Sequence, residues 1–360
     1  MVSRSVILLG PALHAVSGVS THVRQLLGSD LAHRVRLWHF QVGSEGRSER
    51  GYQKILRVLA SPVSLAAVIL RQRADVVHLN TSLLAKSYWR DLMYVLVARV
   101  LRRKIVYQVH GGRLPQDFFA GNAILTAVLR RTLRACNVIV VLAEAELDAY
   151  RRFVPEKRIL IIPNAIEPTD FAGGKRVVRA SEPLRLAYLG RITRDKGVFE
   201  IVEAMRILKD RGVQVQLSIA GSGAEEISMR EAVTQAGLEG QVRFYSPVFG
   251  PEKRAFWAET DIFLFPTYRE GLPYSLLESM ASGVVPIACA VGAIPDVVRN
   301  EVHGLLVPPR DPRALADAVA TLNADRVRLT DMADAACSRV ASHYSVGRLT
   351  EDLSRLYGSL

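Results

Sequence analysis

Cysteine is scarce in this 360-residue chain. Its three thiols, Cys136, Cys289 and Cys337, are odd in number and widely spaced. That excludes a disulfide framework or a clustered zinc site and leads us to expect reduced thiols in a cytoplasmic setting. No wholly apolar run reaches the roughly 18 residues that cross a bilayer. There is no Asp-x-Asp pair, so no divalent cation held between neighbouring carboxylates is expected, and no metal site or cofactor is assigned. Short repeats and low-complexity tracts are also missing. What remains is 49% hydrophobic and 23% charged, the profile of a globular chain. Its length suits two domains or one large one.

Charge of one sign is abundant. The net charge is +12 and the pI about 9.9, which points to an acidic partner. Between Arg99 and Arg134 the cations include Arg102, Arg103, Lys104, Arg113, Arg130 and Arg131, and Asp117 is the one acid. The aromatics Tyr88, Trp89, Tyr94, Phe118 and Phe119 lie close by in sequence. Together they suggest an anionic membrane surface, against the plainer reading of a solvated basic face over core aromatics. The basic, apolar N-terminus resembles a signal peptide. Its apolar run is short and broken by Pro11 and His14, so a buried first strand over Val6–Leu9 is expected instead.

Short apolar runs alternate with amphipathic stretches. SVILLG, VRLWHF, DVVHLN, KIVYQVH, NVIVVL and RILIIPN read as strands, and the series resumes with LRLAYLG, VQLSIAG, QVRFYS, DIFLFP and VVPIACA. Few polar positions within the runs imply cover on both faces. The alternation predicts parallel βαβ units, hence an α/β fold of two Rossmann-like doubly wound domains facing across a cleft. The Pro-, Gly- and charge-rich stretch after Asn164 reads as a linker. The expected domains are 1–165 and 183–340, with 166–182 between them and a final helix, 341–360, packing back on the first.

In such sheets ligands bind beyond the carboxyl ends of strands. REGLPYSLLE follows the run DIFLFP. Pro273 suits the first helical turn, where its missing N–H costs nothing, and the free N–H groups near Pro273 to Leu276, including that of Ser275, form an anion site with Gly271 and Leu272 leading in. Glu278 then lies roughly 7–8 Å along the helix, far enough to accept hydrogen bonds from a ribose diol while a diphosphate rests at the tip. Glu270 precedes the helix and is placed to accept from hydroxyls of an attached sugar. Upstream, Gly190 and Arg191 end one strand run and Lys196 follows, two cations suited to a leaving diphosphate. Gly221 and Gly223 in IAGSG allow close backbone approach, but Glu226 stands where a dinucleotide fingerprint needs a third glycine. Val248, after QVRFYS, is a candidate for contact with a base edge.

LGRITRDKGV, IAGSG, the stretch from Tyr245 to Val298 and HGLLVPP together resemble glycosyltransferase family 4. The resemblance covers 183–310 and implies retaining enzymes of the GT-B fold that use a nucleotide sugar, UDP-linked by default or GDP-linked. It assigns the diphosphate to Arg191 and Lys196, the ribose to Glu278 and the transferred sugar to Glu270. In the first domain it points to the loop at Gly18, where Val19 departs from the usual glycine pair. It also points to His110, which precedes Gly111 and Gly112, as a positioning residue near the donor sugar. Arg113 is a candidate for an acidic acceptor. His78 reads as a core histidine. The expectation is a metal-independent hexosyltransferase of polysaccharide or glycolipid assembly, with a lipid-linked acceptor at the inner face of the membrane and no specific nucleic acid. An epimerase of the same architecture, a basic nucleic-acid-binding protein and a catalytically idle module are the competing readings.

Overall fold

The computed structural model describes residues 4–46, 49–171 and 182–360, so most of the expected linker lies outside the described residues. The chain divides into two units, Met1–Ala165 with Val346–Leu360, and Ile166–Ser345. The second boundary falls five residues beyond 340 because the helix Arg326–His343 runs through that position.

The first unit holds β1 (Ser5–Gly10), β2 (Arg36–Gln41), β3 (Val76–Leu83), β4 (Lys104–Gly112), β5 (Val138–Val141) and β6 (Arg158–Ile161). They form one parallel sheet in the order β2-β1-β3-β4-β5-β6. All six residues of β1 are buried, as a central strand covered on both faces requires. Its alternate residues serve separate cores: Ile7 and Leu9 join one cluster, Val6 and Leu8 the other. The second cluster is completed by Leu349, Leu353, Leu356 and Tyr357 of the last helix, Val346–Gly358.

The second unit holds β7 (Leu184–Leu189), β8 (Val215–Ala220), β9 (Val242–Tyr245), β10 (Ile262–Phe265), β11 (Val285–Cys289) and β12 (Leu305–Val307). The order is β12-β11-β10-β7-β8-β9, again parallel. Strand β12, within HGLLVPP, is not among the predicted runs; with three residues it has no periodicity to read. In each sheet the chain leaves a central strand to one side and returns on the other, between β1 and β3 and between β7 and β10. Those reversals are where a doubly wound sheet opens a crevice.

Two expectations need correction. Tyr88, Tyr94 and Phe118 are buried in the core, leaving Trp89 as the exposed aromatic of that group and Phe119 half-buried. Part of the basic run is also engaged within its own unit: the Arg130 guanidinium lies 4.7 Å from the Phe153 ring centre and Arg134 pairs with Glu156. Second, one helix, Gly51–Arg71, is long and apolar enough by length and composition to cross a bilayer, and only a small part of it is buried. Lys54 and Arg57 interrupt its apolar run, which concealed it in the sequence.

Candidate functional site

The reversal in the second sheet sets β7 beside β10, pairing Leu186 with Ile262 and Ala187 with Phe263. The segments beyond their carboxyl ends therefore meet. Lys196, buried on a 3-10 turn after β7, forms an ion pair with Glu270, in the loop after β10. Tyr268 N–H donates to the Asp195 carbonyl at 2.9 Å, tying the same two loops by backbone. Arg191 lies between the end of β7 and Lys196, with its side chain exposed, and its carbonyl accepts from the Tyr188 hydroxyl at 2.6 Å. Burial, then the nearby Glu270 carboxylate, pushes the Tyr188 hydroxyl well above its usual pKa, so it stays a donor.

The path of these loops requires glycine. A Cβ on Gly221 would lie 1.9 Å from the Gly190 carbonyl oxygen, and one on Gly292 would lie 1.9 Å from that of Glu270; both residues have positive φ. Glu270 and Gly271 are held from the other side as well, since Ala293 N–H donates to the Gly271 carbonyl at 3.1 Å.

The helix expected after Gly271 spans Tyr274–Ala281. Pro273, expected in the first turn, is its N-cap, with φ −75 and ψ 133, and the first helical residue is Tyr274. A proline has no N–H to lose there, and its extended ψ turns the chain into the helix one residue later than expected. Ser275 and Leu276 lie in the first turn, where backbone N–H groups have no intrahelical acceptor. Leu272 is buried just before them. Glu278 is also buried. Its Oε1 accepts from Lys253 Nζ at 2.7 Å, and its Oε2 has no hydrogen-bond partner. Lys253, on the helix Gly250–Ala258, was missed in the sequence because nothing local marks it. Val248 is half-buried in the loop that leads into that helix.

In the first unit, Gly18 is the first residue of the helix Gly18–Leu27, capped by Ser17 Oγ, which accepts from Ser20 N–H at 3.2 Å. His110, near the end of β4, hydrogen-bonds Asn164 Oδ1 through Nδ1 (3.2 Å) and Asn80 Oδ1 through Nε2 (3.1 Å). The His22 ring crosses it edge-on with centroids 4.6 Å apart. Burial lowers His110 to about 4, opposed by the Asn164 bond. The ring is therefore neutral at pH 7 and donates from one nitrogen only, so one of the two Asn amides presents its NH₂. His78 is the core histidine expected: its Nδ1 lies 2.6 Å from Tyr357 Oη, and burial, then His110, lowers it to about 3. His22, Asn80 and Asn164 were not singled out in the sequence; His22 sits in a helix where no spacing distinguishes it. Arg113 is exposed, and its N–H donates to the Leu83 carbonyl at 3.1 Å.

Two family models match the chain: "Glycosyltransferase Family 4" over residues 2–170 and "Glycosyl transferases group 1" over 175–339. The amylovoran biosynthesis glycosyltransferase AmsK of Erwinia amylovora is 30% identical over 212 residues, 56% of this chain and 52% of that one. The chain thus spans about half the length of such curated relatives. The GDP-mannose:cellobiosyl-diphosphopolyprenol alpha-mannosyltransferase of Xanthomonas campestris is 24% identical over 325 residues, 86% of this chain and 80% of that one. Among solved structures, Anabaena Alr3699/HepE in complex with UDP-glucose superposes with a TM-score of 0.76 at 14% identity, covering 99% of this chain and 100% of that one. The two family models, which between them match residues 2–170 and 175–339, place the chain in glycosyltransferase family 4, and the fold is the GT-B architecture.

Proposed function

We propose that the protein is a retaining glycosyltransferase that moves a sugar from a nucleoside-diphosphate donor to a hydroxyl acceptor without a metal ion. One observation carries this reading: the buried Glu278 carboxylate keeps Oε2 without a partner, about one turn inside a helix whose approach loop carries Glu270, paired with Lys196. A buried carboxylate oxygen left unpaired is costly, and a ribose diol supplies the missing donor. The diphosphate then rests on the first-turn N–H groups of Ser275 and Leu276, with Arg191 and Lys196 taking up its charge. Glu270 meets hydroxyls of the transferred sugar. The donor C1–O bond breaks with its electron pair leaving on the diphosphate, and the acceptor oxygen bonds C1 on the same face. A departing phosphate oxygen takes the acceptor proton. Stabilising the leaving group supplies most of the rate.

A UDP-sugar is the proposed donor, in keeping with the UDP-glucose bound to the Anabaena neighbour. A lipid-linked acceptor in polysaccharide or glycolipid assembly, at the cytoplasmic side of the membrane, is proposed on the pattern of the Xanthomonas relative's polyprenol-linked substrate. Calorimetric titration with UDP, GDP and their sugar conjugates tests the donor. Binding of one nucleotide diphosphate, weakened at least tenfold by Glu278→Gln and indifferent to EDTA, is expected. No binding of any of them overturns the reading.

A further inference from the structure

Eleven of the twenty large apolar side chains exposed among the described residues sit on two helices that pack together, Gly51–Arg71 and Ala85–Val100. On the first, Tyr52, Ile55, Leu56, Leu59, Val63 and Leu70 recur at helical spacing, which at 3.6 residues per turn gathers them on one side. The opposite side carries the buried residues Ser61, Leu65 and Ile69. On the second helix, Trp89, Met93, Leu96 and Val100 form a like stripe. These faces stay outside the core for a physical reason: the second half of the first helix buries its other side through Ser61, Leu65 and Ile69, and Ser61 Oγ is bonded to Tyr94 Oη at 2.6 Å.

Charge supplies the second observation. Residues 50–104 hold eleven Lys and Arg against two acids, Asp75 and Asp91, an excess of nine in a chain whose net charge is +12. Asp91 is itself buried and bonded to Arg90. Lys54, Arg71, Arg73, Arg99 and Arg102 are exposed at the ends and flanks of the two helices. An apolar stripe ringed by cations fits an anionic bilayer surface. It does not fit a second copy of the same face, which would bring like charges together.

We propose that the Gly51–Arg71 helix docks this protein on an anionic lipid bilayer. It lies in the interface with Ile55, Leu59 and Val63 among the acyl chains and Arg71 and Arg99, which flank the two stripes, at the headgroups. It does not cross, because Leu65 and Ile69 are fixed in the core of the first sheet. The docking is independent of donor chemistry, so its failure leaves the nucleotide site untouched.

The test is co-sedimentation of the full chain with phosphatidylcholine vesicles, with and without phosphatidylglycerol, at low and high salt. Binding is expected to require phosphatidylglycerol and to weaken with salt. Each exposed flanking cation removed, beginning with Arg71→Ala and Arg99→Ala, is expected to cost about fivefold in affinity. The double variant Leu59→Gln/Val63→Gln is expected to lose binding at least tenfold while keeping the parent's thermal midpoint. A Leu59→Trp variant is expected to be quenched by brominated lipid. Parent protein that ignores anionic vesicles overturns the proposal. So does binding that survives Leu59→Gln/Val63→Gln, or a soluble dimer that the same variant dissociates.

Discussion

Lys253 and Glu278, 25 residues apart on two helices, are joined by a 2.7 Å ion pair in which the carboxylate is buried and the ammonium partly open. The pair holds a negative charge in the interior and leaves one of its oxygens for a ligand. Lys253→Met removes the compensation and is expected to lower stability by about 1–3 kcal/mol in urea denaturation. Adding Glu278→Gln in the same chain should restore most of that loss. If the single and double variants are equally unstable, the pair does not carry the charge of Glu278.

Arg191→Ala and Lys196→Ala are each expected to reduce turnover by about 10²–10³-fold, the scale on which lost leaving-group stabilisation is felt. Arg191 is exposed, so its variant should keep the parent's melting temperature. Lys196→Ala strands Glu270 and should also melt lower. Initial rates with saturating donor, beside circular dichroism, separate the two effects.

Gly292→Ala tests the loop that carries Glu270. The added methyl would fall 1.9 Å from the Glu270 carbonyl oxygen, at a φ of +57. The loop must shift, and stability is expected to drop by at least about 1 kcal/mol. Nucleotide affinity should fall in parallel, measured by titration at a temperature where the variant is folded.

The histidines of the first unit predict acid sensitivity. His78 and His110 are lowered to about 3 and about 4, and His22 is lowered by burial, then by its histidine neighbours. In the unfolded chain each takes a proton near pH 6.5. Between that pH and about 4 the unfolded state therefore binds more protons, and stability falls as pH falls. At pH 5 the loss is on the order of 2 kcal/mol for each of His78 and His110, and His22 acts in the same direction. Urea midpoints at pH 7.5 and pH 5 measure it, and His78→Gln should flatten the dependence.

Much of this was legible before the structure. Strands such as β1 and β10 are short, apolar through their centres and bounded by turn residues, and burial on both faces leaves no other use for such runs. The Glu270 and Glu278 spacing was legible because both lie in one local turn-and-helix segment. Lys253 was not, since its pairing depends on how two helices pack. Nor was the exposure of Leu59 and Val63: an apolar residue says that it avoids water, not which of two apolar faces the core will take. His22 meets His110 only through the sheet order.

The helix Val346–Gly358 closes the core of a unit whose other elements end at Ala165. During synthesis, at about 5–20 residues per second, the roughly 180 intervening residues take on the order of 10–40 s to emerge. For that interval Val6, Leu8 and Val23 wait on the ribosome without their last covering layer. The sheet that begins the chain is finished last, and truncation at the far end should be felt first as misfolding at the near one.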